Sequence, residues 1–374
     1  MRIGINALFL QKPATGSGQH LFHLLEGLDA LDDKENKYVL LSPRFRRAYA
    51  VSWPHLSDRF QNVEKAWWEQ FGLLQAGRAE NVDLLHCPYF ASPIVPMFPT
   101  VVTIHDVIPL VLKEYAWRRQ THAYNALVSA AAKQASAIIA VSQYSKRDIE
   151  RTLQIPPERI HVIGNAVDDN FRRITDSWHL LAVRQRYEIG ERYVLYFGGF
   201  DLRKNVLGTI RSYARLPAEL RQRYQLVIAG RLHHFGHPLY PDPRPLVQEL
   251  GLDGRVIFTG SIREEDKAPL YSGATCFMFP SLYEGFGIPV LEAMACGTPV
   301  LTSNTTSLPE VVGDAGVLVD PTSERAIAEA LSRLLEDEPQ QRDLGERALA
   351  RSRFFTWHQV AEQTVEVYRQ VHAA

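Results

Sequence analysis

Residues 281–300 read Ser-Leu-Tyr-Glu-Gly-Phe-Gly-Ile-Pro-Val-Leu-Glu-Ala-Met-Ala-Cys-Gly-Thr-Pro-Val, which sets Glu284 and Glu292 eight positions apart. Between them Gly285-Phe286-Gly287 makes a flexible turn, and Pro289 suits the first turn of a helix, where a missing N–H costs nothing. Gly297 supplies a stop, and Pro299 leads into a Val-Leu strand. Glu284 is therefore expected on a loop rim, and Glu292 inside a short helix whose N-terminus opens onto that rim. Free backbone donors at a helix N-terminus attract anions, phosphate above all. Two hydroxyl acceptors beside such a nest suit a nucleotide sugar. The other chemistry open to two carboxylates is glycoside hydrolysis by an acid and a nucleophile. The rim-and-helix placement beside phosphate donors disfavours it.

A second constellation lies upstream. The strand Tyr193–Phe197 runs into a glycine turn, then Arg203 and Lys204, then a helix beginning near Asn205. This arrangement offers a pyrophosphate two cations, arginine as a bidentate fork and lysine as a compact point charge. His105 ends an apolar strand and precedes Asp106, which is expected to orient that histidine or its loop. Gly16-Ser17-Gly18 stands before a helix expected to start near Gln19, placed to approach a diphosphate or an acceptor. As a dinucleotide fingerprint it fails, because Leu21 occupies the third glycine position. Ser307 and Glu310 have the spacing of a capping box.

The elements that position these residues alternate. Strand-like runs are expected at 3–9, 38–42, 84–86, 100–104 and 137–141, and a second series at 193–197, 225–229, 256–259, 276–279, 299–302 and 316–319. Helical patterns intervene, notably 19–31, 124–135, 206–214, 268–272 and 325–335, and an amphipathic helix closes the chain at 355–374. Alternation of this kind indicates parallel sheets with helices on both faces. Two series in 374 residues predict an α/β protein of two doubly wound domains, with a polar, aperiodic boundary near 168–178. Ligands of such sheets bind at the strands' carboxyl ends, so the active site is expected in a cleft between the domains.

Bulk composition narrows the function. A net charge of −1 argues against nucleic acid as a partner, since such binders carry a basic excess. Cys87, Cys276 and Cys296 are scattered singly, without zinc or disulfide spacing, so a reduced, cytoplasmic setting is expected. The opening Arg2–Ala7 reads as a strand rather than a secretory leader. The most apolar stretch, 90–112, is interrupted by prolines 93, 96, 99 and 109, so no membrane span is expected. Peripheral contact with the inner membrane is a separate matter. Arg44, Arg46 and Arg47, then Trp117 with Arg118 and Arg119, and Trp67-Trp68 offer groups for an anionic lipid face.

The 284–300 stretch, taken with segments 15–18, 103–109, 141–148, 196–205, 255–260 and 307–315, resembles the family-four retaining glycosyltransferases of GT-B fold. Within them it is most similar to bacterial mannosyltransferases of O-antigen and other surface polysaccharides. The resemblance covers nearly the whole chain. It implies residues 1–171, joined by the helix 355–374, as an acceptor-side domain, and 172–354 as the donor domain. It implies that Arg203 and Lys204 take the donor phosphates, and that Glu292 holds the ribose hydroxyls. Glu284 is then near the donor sugar, with Gly285, Phe286 and Gly287 contacting sugar or phosphate. His105 is implied as a donor-sugar contact and catalytic helper, Ser17 and Gly18 as diphosphate or acceptor contacts, and Ile262 as a base-edge contact. Many relatives carry an arginine where Gly199 stands here, and Arg203 is expected to supply that guanidinium. The implied donor is an NDP-sugar, GDP-mannose first and UDP-glucose second, and the implied acceptor a glycan or lipid-linked glycan. No strand-end Asp-x-Asp is present, so neither metal nor cofactor is expected. A GT-B epimerase would need further carboxylates and a histidine base. A non-catalytic nucleotide-binding subunit would not need the intact Arg203, Lys204, Glu284, Glu292 and His105 set.

Overall fold

The computed structural model describes residues 1–12, 15–43, 63–116, 119–231 and 237–373. Arg44, Arg46, Arg47, Trp117, Arg118 and the Arg119 side chain, invoked above for lipid contact, lie outside this set. The chain divides into two compact units, residues 1–165 with 357–374, and residues 166–356.

The first unit is built on six parallel strands, β1 (Arg2–Asn6), β2 (Lys37–Leu41), β3 (Leu84–Cys87), β4 (Thr100–Ile104), β5 (Ala137–Ala140) and β6 (Ile160–Val162). They lie in the order β2-β1-β3-β4-β5-β6. Strands β3, β4 and β5 are buried along their whole length, as parallel strands covered on both faces must be, and are mainly apolar, with His86, Thr100 and Thr103 the polar exceptions. The sequence gives no expectation for β6. It is three residues long, and it earns its place by pairing with β5 rather than by any periodicity of its own.

The last helix, Trp357–Ala373, belongs to this unit and packs on the first, Gly16–Ala30. Gly27 allows the approach, since a Cβ there would stand 2.7 Å from the Trp357 carbonyl oxygen. Tyr368 Oη lies 2.6 Å from His86 Nδ1, pinning the helix to β3.

The second unit has β7 (Tyr193–Phe197), β8 (Gln225–Ala229), β9 (Val256–Gly260), β10 (Cys276–Phe279), β11 (Val300–Ser303) and β12 (Val317–Val319). Their order is β12-β11-β10-β7-β8-β9, again all parallel. The chain builds outward from β7 through β8 and β9, then returns to β7's other side to build β10, β11 and β12. Its direction reverses between β7 and β10, and in such sheets the crevice beyond that reversal is where ligands bind.

Candidate functional site

The two loops leaving this reversal point carry the predicted cations and the first predicted carboxylate. After β7 the chain makes a single 3-10 turn, Leu202–Lys204, and enters the helix Val206–Ala214 through Asn205, whose φ is +56°. Asn tolerates this left-handed geometry better than most residues. Its side-chain amide donates to the carbonyls of Pro280 (3.0 Å) and Pro321 (2.8 Å). The Arg203 carbonyl in turn accepts from Ser281 Oγ (2.9 Å) and from the Leu282 amide (2.6 Å). The loops after β7 and β10 are thereby stapled into one surface.

Glu284 sits at the centre of it. Lys204 Nζ donates to Glu284 Oε1 at 2.7 Å, and Arg203 Nη1 donates to Oε2 at 3.1 Å. Ser281 Oγ donates to Oε1 at 2.7 Å. Arg203 also pairs through Nε with Asp201 Oδ1 (3.1 Å) and donates to the Tyr283 carbonyl. The Lys204 ammonium lies 4.9 Å from the Phe279 ring centroid. Both partners of the central pair are buried, Lys204 at 9% and Glu284 at 7% exposure. Burial works to raise the Glu284 pKa, but the charges of Lys204 and Arg203 and the bonds from Lys204 and Ser281 hold it below its ordinary value. Glu284 lies on the loop as expected, but buried beneath its edge. Glu284 is a buried hub that orients the two cations, and a carboxylate can leave water here only because it is paired and fully hydrogen-bonded. Gly199 lies beside Asp201, and Arg203 bridges Asp201 and Glu284.

Beyond Glu284 the chain turns through Gly285, Phe286 and Gly287, all buried. Gly287 caps the helix Ile288–Ala295 at φ +113°, and a Cβ there would stand 2.6 Å from Leu308 Cδ2. Ser307 fixes the turn. Its hydroxyl donates to the carbonyls of Glu284 (3.0 Å) and Phe286 (2.8 Å). The capping-box expectation fails, because Ser307 makes no side-chain cap bond to the helix Leu308–Val312. The hydroxyl is spent on the neighbouring loop instead.

Glu292 lies within the helix Ile288–Ala295, half-buried, and its Oε2 accepts from the Tyr271 hydroxyl at 2.7 Å. Burial pushes its pKa up to about 7, against the opposing Tyr271 bond and Lys267 charge. Ile262 follows β9 and is half-buried.

His105, Ser17 and Gly18 belong to the first unit. His105 leaves β4 with Nε2 directed to the Pro88 carbonyl (3.3 Å) and its ring edge-on to His20, centroids 4.6 Å apart. Burial lowers its pKa, against the opposing pull of Asp106 and the Pro88 bond. Asp106 Oδ1 accepts from the Ile108 amide and so shapes the loop. Ser17 and Gly18 do not precede the helix as expected. They form its first turn, with Thr15 as the cap accepting from the Gly18 amide. Gly18 is required by packing, since a Cβ would stand 2.3 Å from the Lys12 carbonyl oxygen.

Ser281, Asp201, Phe279 and Tyr271 escaped sequence reasoning as site members. For Ser281 the signal was a hydroxyl just past the wholly apolar β10. For Tyr271 there was none, because its contact with Glu292 is made between helices. Of the Trp67-Trp68 pair, Trp67 is 53% exposed, whereas Trp68 is 5% exposed with its indole N–H on Asn6 Oδ1. No helix among the described residues is long and apolar enough to cross a membrane.

Two family models match the chain in tandem, "Glycosyltransferase Family 4" over residues 14–171 and "Glycosyl transferases group 1" over 182–351. The chain is 34% identical to the O-antigen chain mannosyltransferase B of Escherichia coli over 93% of its own length and 90% of that protein's. It is 34% identical over 73% of its length to the serotype-specific mannosyltransferase WbdA of Escherichia coli, of which the match spans only 33%. Among solved structures, sucrose-phosphate synthase from Thermosynechococcus elongatus superposes with a TM-score of 0.76 at 23% identity, covering 100% of this chain and 99% of that one. A match of this extent to a mannosyltransferase, on two parallel six-stranded sheets with a cation–carboxylate cluster at a reversal point, makes the chain a member of the group 1/family 4 glycosyltransferases of GT-B fold.

Proposed function

We propose that the protein transfers mannose from GDP-mannose, with retention of anomeric configuration, to a glycan or lipid-linked acceptor of surface polysaccharide. The observation that carries the reading is the buried Lys204–Glu284–Arg203 cluster at the reversal point of the second sheet. Mannose is favoured by the O-antigen mannosyltransferase relative. UDP-glucose is the donor next in line.

In this reading the diphosphate docks against Arg203 and Lys204, whose positions Glu284, Asp201 and Ser281 fix in advance. As the glycosidic bond breaks, negative charge grows on the leaving diphosphate. Cations already oriented stabilise that charge without reorganising, which lowers the barrier more than it tightens ground-state binding. The donor's own phosphate oxygen accepts the proton of the attacking acceptor hydroxyl on the same face. The ribose hydroxyls meet Glu292, Ile262 lies at the base, and the Gly285–Gly287 backbone approaches sugar and phosphate. On the first unit, His105 is carried as a hydrogen-bonding sugar contact and the Ser17–Gly18 turn as a contact of the acceptor.

The test is release of GDP from GDP-mannose in the presence of mannose-containing acceptors, with the product's anomeric configuration read by NMR. Acceptor-dependent release and an α-linked product are expected. Release that ignores acceptor, an inverted product, or stronger turnover of UDP-glucose overturns the corresponding part.

A further inference from the structure

The first sheet has its own reversal point, between β1 and β3, and nothing assigned so far occupies it. The residues just beyond these strands are joined by polar contacts. Asn6, the last residue of β1, donates through Nδ2 to the Tyr89 hydroxyl (2.9 Å), and Tyr89 donates to Glu69 Oε1 (3.1 Å). Tyr124 donates to the same carboxylate at 3.1 Å, and Lys65 Nζ lies 3.5 Å from it. The Lys65 ammonium also faces the rings of Tyr124 (4.7 Å), Phe9 (5.8 Å) and Tyr89 (6.0 Å).

Two features separate this cluster from an ordinary core network. Glu69 lies in a π turn, Trp68–Gly72, inserted in a helix spanning 63–79, and such insertions concentrate at functional sites. Its carboxylate is fully buried, yet the Lys65 side chain above it keeps 30% exposure and Tyr124 is only half-buried. Polar groups therefore reach from the surface down to a fixed carboxylate, beside aromatic faces. That combination of oriented acceptors, donors and ring faces is what a sugar ring requires. The cluster is also continuous with His105, which contacts the carbonyl of Pro88, the neighbour of Tyr89.

We propose that Lys65 and Tyr124, set by Glu69 and Tyr89, form a hexopyranose subsite for the acceptor sugar. This rests on the glycosyl-transfer reading for its purpose but not for its test. Lys65 and Tyr124 hold a pair of ring hydroxyls, and the Phe9 and Tyr124 rings meet the C–H face.

Saturation-transfer NMR on the full chain, without donor, tests it with methyl α-D-mannopyranoside, methyl α-D-glucopyranoside and methyl α-D-galactopyranoside as probes. At least one probe is expected to receive saturation. Tyr124→Phe and Lys65→Met are each expected to weaken its Kd five-fold or more, while GDP-mannose affinity by calorimetry moves less than two-fold. Circular dichroism melting confirms folding of each variant. No saturation of any probe, or saturation indifferent to both substitutions, overturns the subsite. So does a lowered melting temperature with unchanged sugar affinity, which would make the cluster purely architectural. If wild type binds a probe but never turns over GDP-mannose, the donor reading fails and the subsite stands.

Discussion

Lys204 Nζ and Glu284 Oε1, eighty residues apart in sequence, meet at 2.7 Å under the surface of the second unit. The contact joins the loop after β7 to the loop after β10 and fixes a cation before any ligand arrives. Removing one partner of a buried pair leaves the other uncompensated and costs about 3–5 kcal/mol. Lys204→Met is therefore expected to lower the melting temperature and to slow transfer by roughly 100-fold or more. Adding Glu284→Gln to it is expected to recover stability but not transfer. A single variant with wild-type melting and wild-type rate would remove Lys204 from the site.

Burial of the Glu292 carboxyl predicts a pH dependence of stability. That carboxyl moves from 4.5 to about 7 on folding, so ionising it in the folded state costs on the order of 3 kcal/mol. A raised folded pKa contributes stability that is fully present below the unfolded value and is lost as pH rises through the folded value. Glu292→Gln should accordingly melt higher than wild type at pH 8 and alike at pH 4. On the proposed reading donor binding runs the other way, because the ribose hydroxyls would donate to the ionised form. The donor KM of wild type is expected to rise as pH falls below about 7, and Glu292→Gln to lose that dependence. Melting curves that track each other at both pH values would refute the burial argument.

Ser307 reads as a helix cap in sequence and acts as a loop clamp in the fold. Deleting its hydroxyl leaves the carbonyls of Glu284 and Phe286 short of a donor, at about 1–3 kcal/mol. Ser307→Ala is expected to raise the donor KM several-fold with a modest loss of melting temperature. Calorimetric titration with GDP gives the comparison, and an unchanged GDP affinity would confine Ser307 to stability.

Gly287 and Gly18 separate two uses of glycine. Gly287→Ala imposes a side chain at φ +113° against Leu308, with a cost of roughly 1–3 kcal/mol. On the proposed reading it also displaces the turn that approaches the donor. Gly18→Ala meets the Lys12 carbonyl within the first unit, so its expected effect is on melting with GDP affinity retained. GDP affinities that fall equally in both variants would contradict this division.

The sheets were legible because parallel strands buried on both faces advertise themselves as short apolar runs. Tyr193–Phe197, Gln225–Ala229, Cys276–Phe279 and the helix Val206–Ala214 stand where the pattern puts them. Strand β6 was not legible, since three residues cannot show a period. The start of the helix Gly16–Ala30 was misplaced because Gly16 and Gly18 disguise its first turn, although Thr15 ahead of them is a sound cap. Ser307 was misread because a capping box and a loop clamp share one local sequence. Which acceptor a hydroxyl meets depends on what the fold sets beside it.

By itself the sequence determined the residue types, their order and the elements bearing them. Arg203 and Lys204 after a strand, and Glu284 and Glu292 around a glycine turn, were fixed by local propensity and spacing. Only the tertiary structure decided their partners. Strand order places β7 beside β10, and that adjacency turns Glu284 from a rim carboxylate into the counter-charge of Lys204 and Arg203. The Glu292 pKa and the Lys65–Glu69 cluster are likewise products of burial and of contacts between separate elements. Local pattern encodes which groups exist, whereas desolvation and pairing, which set their charge and reach, depend on the packing of chain segments distant in sequence.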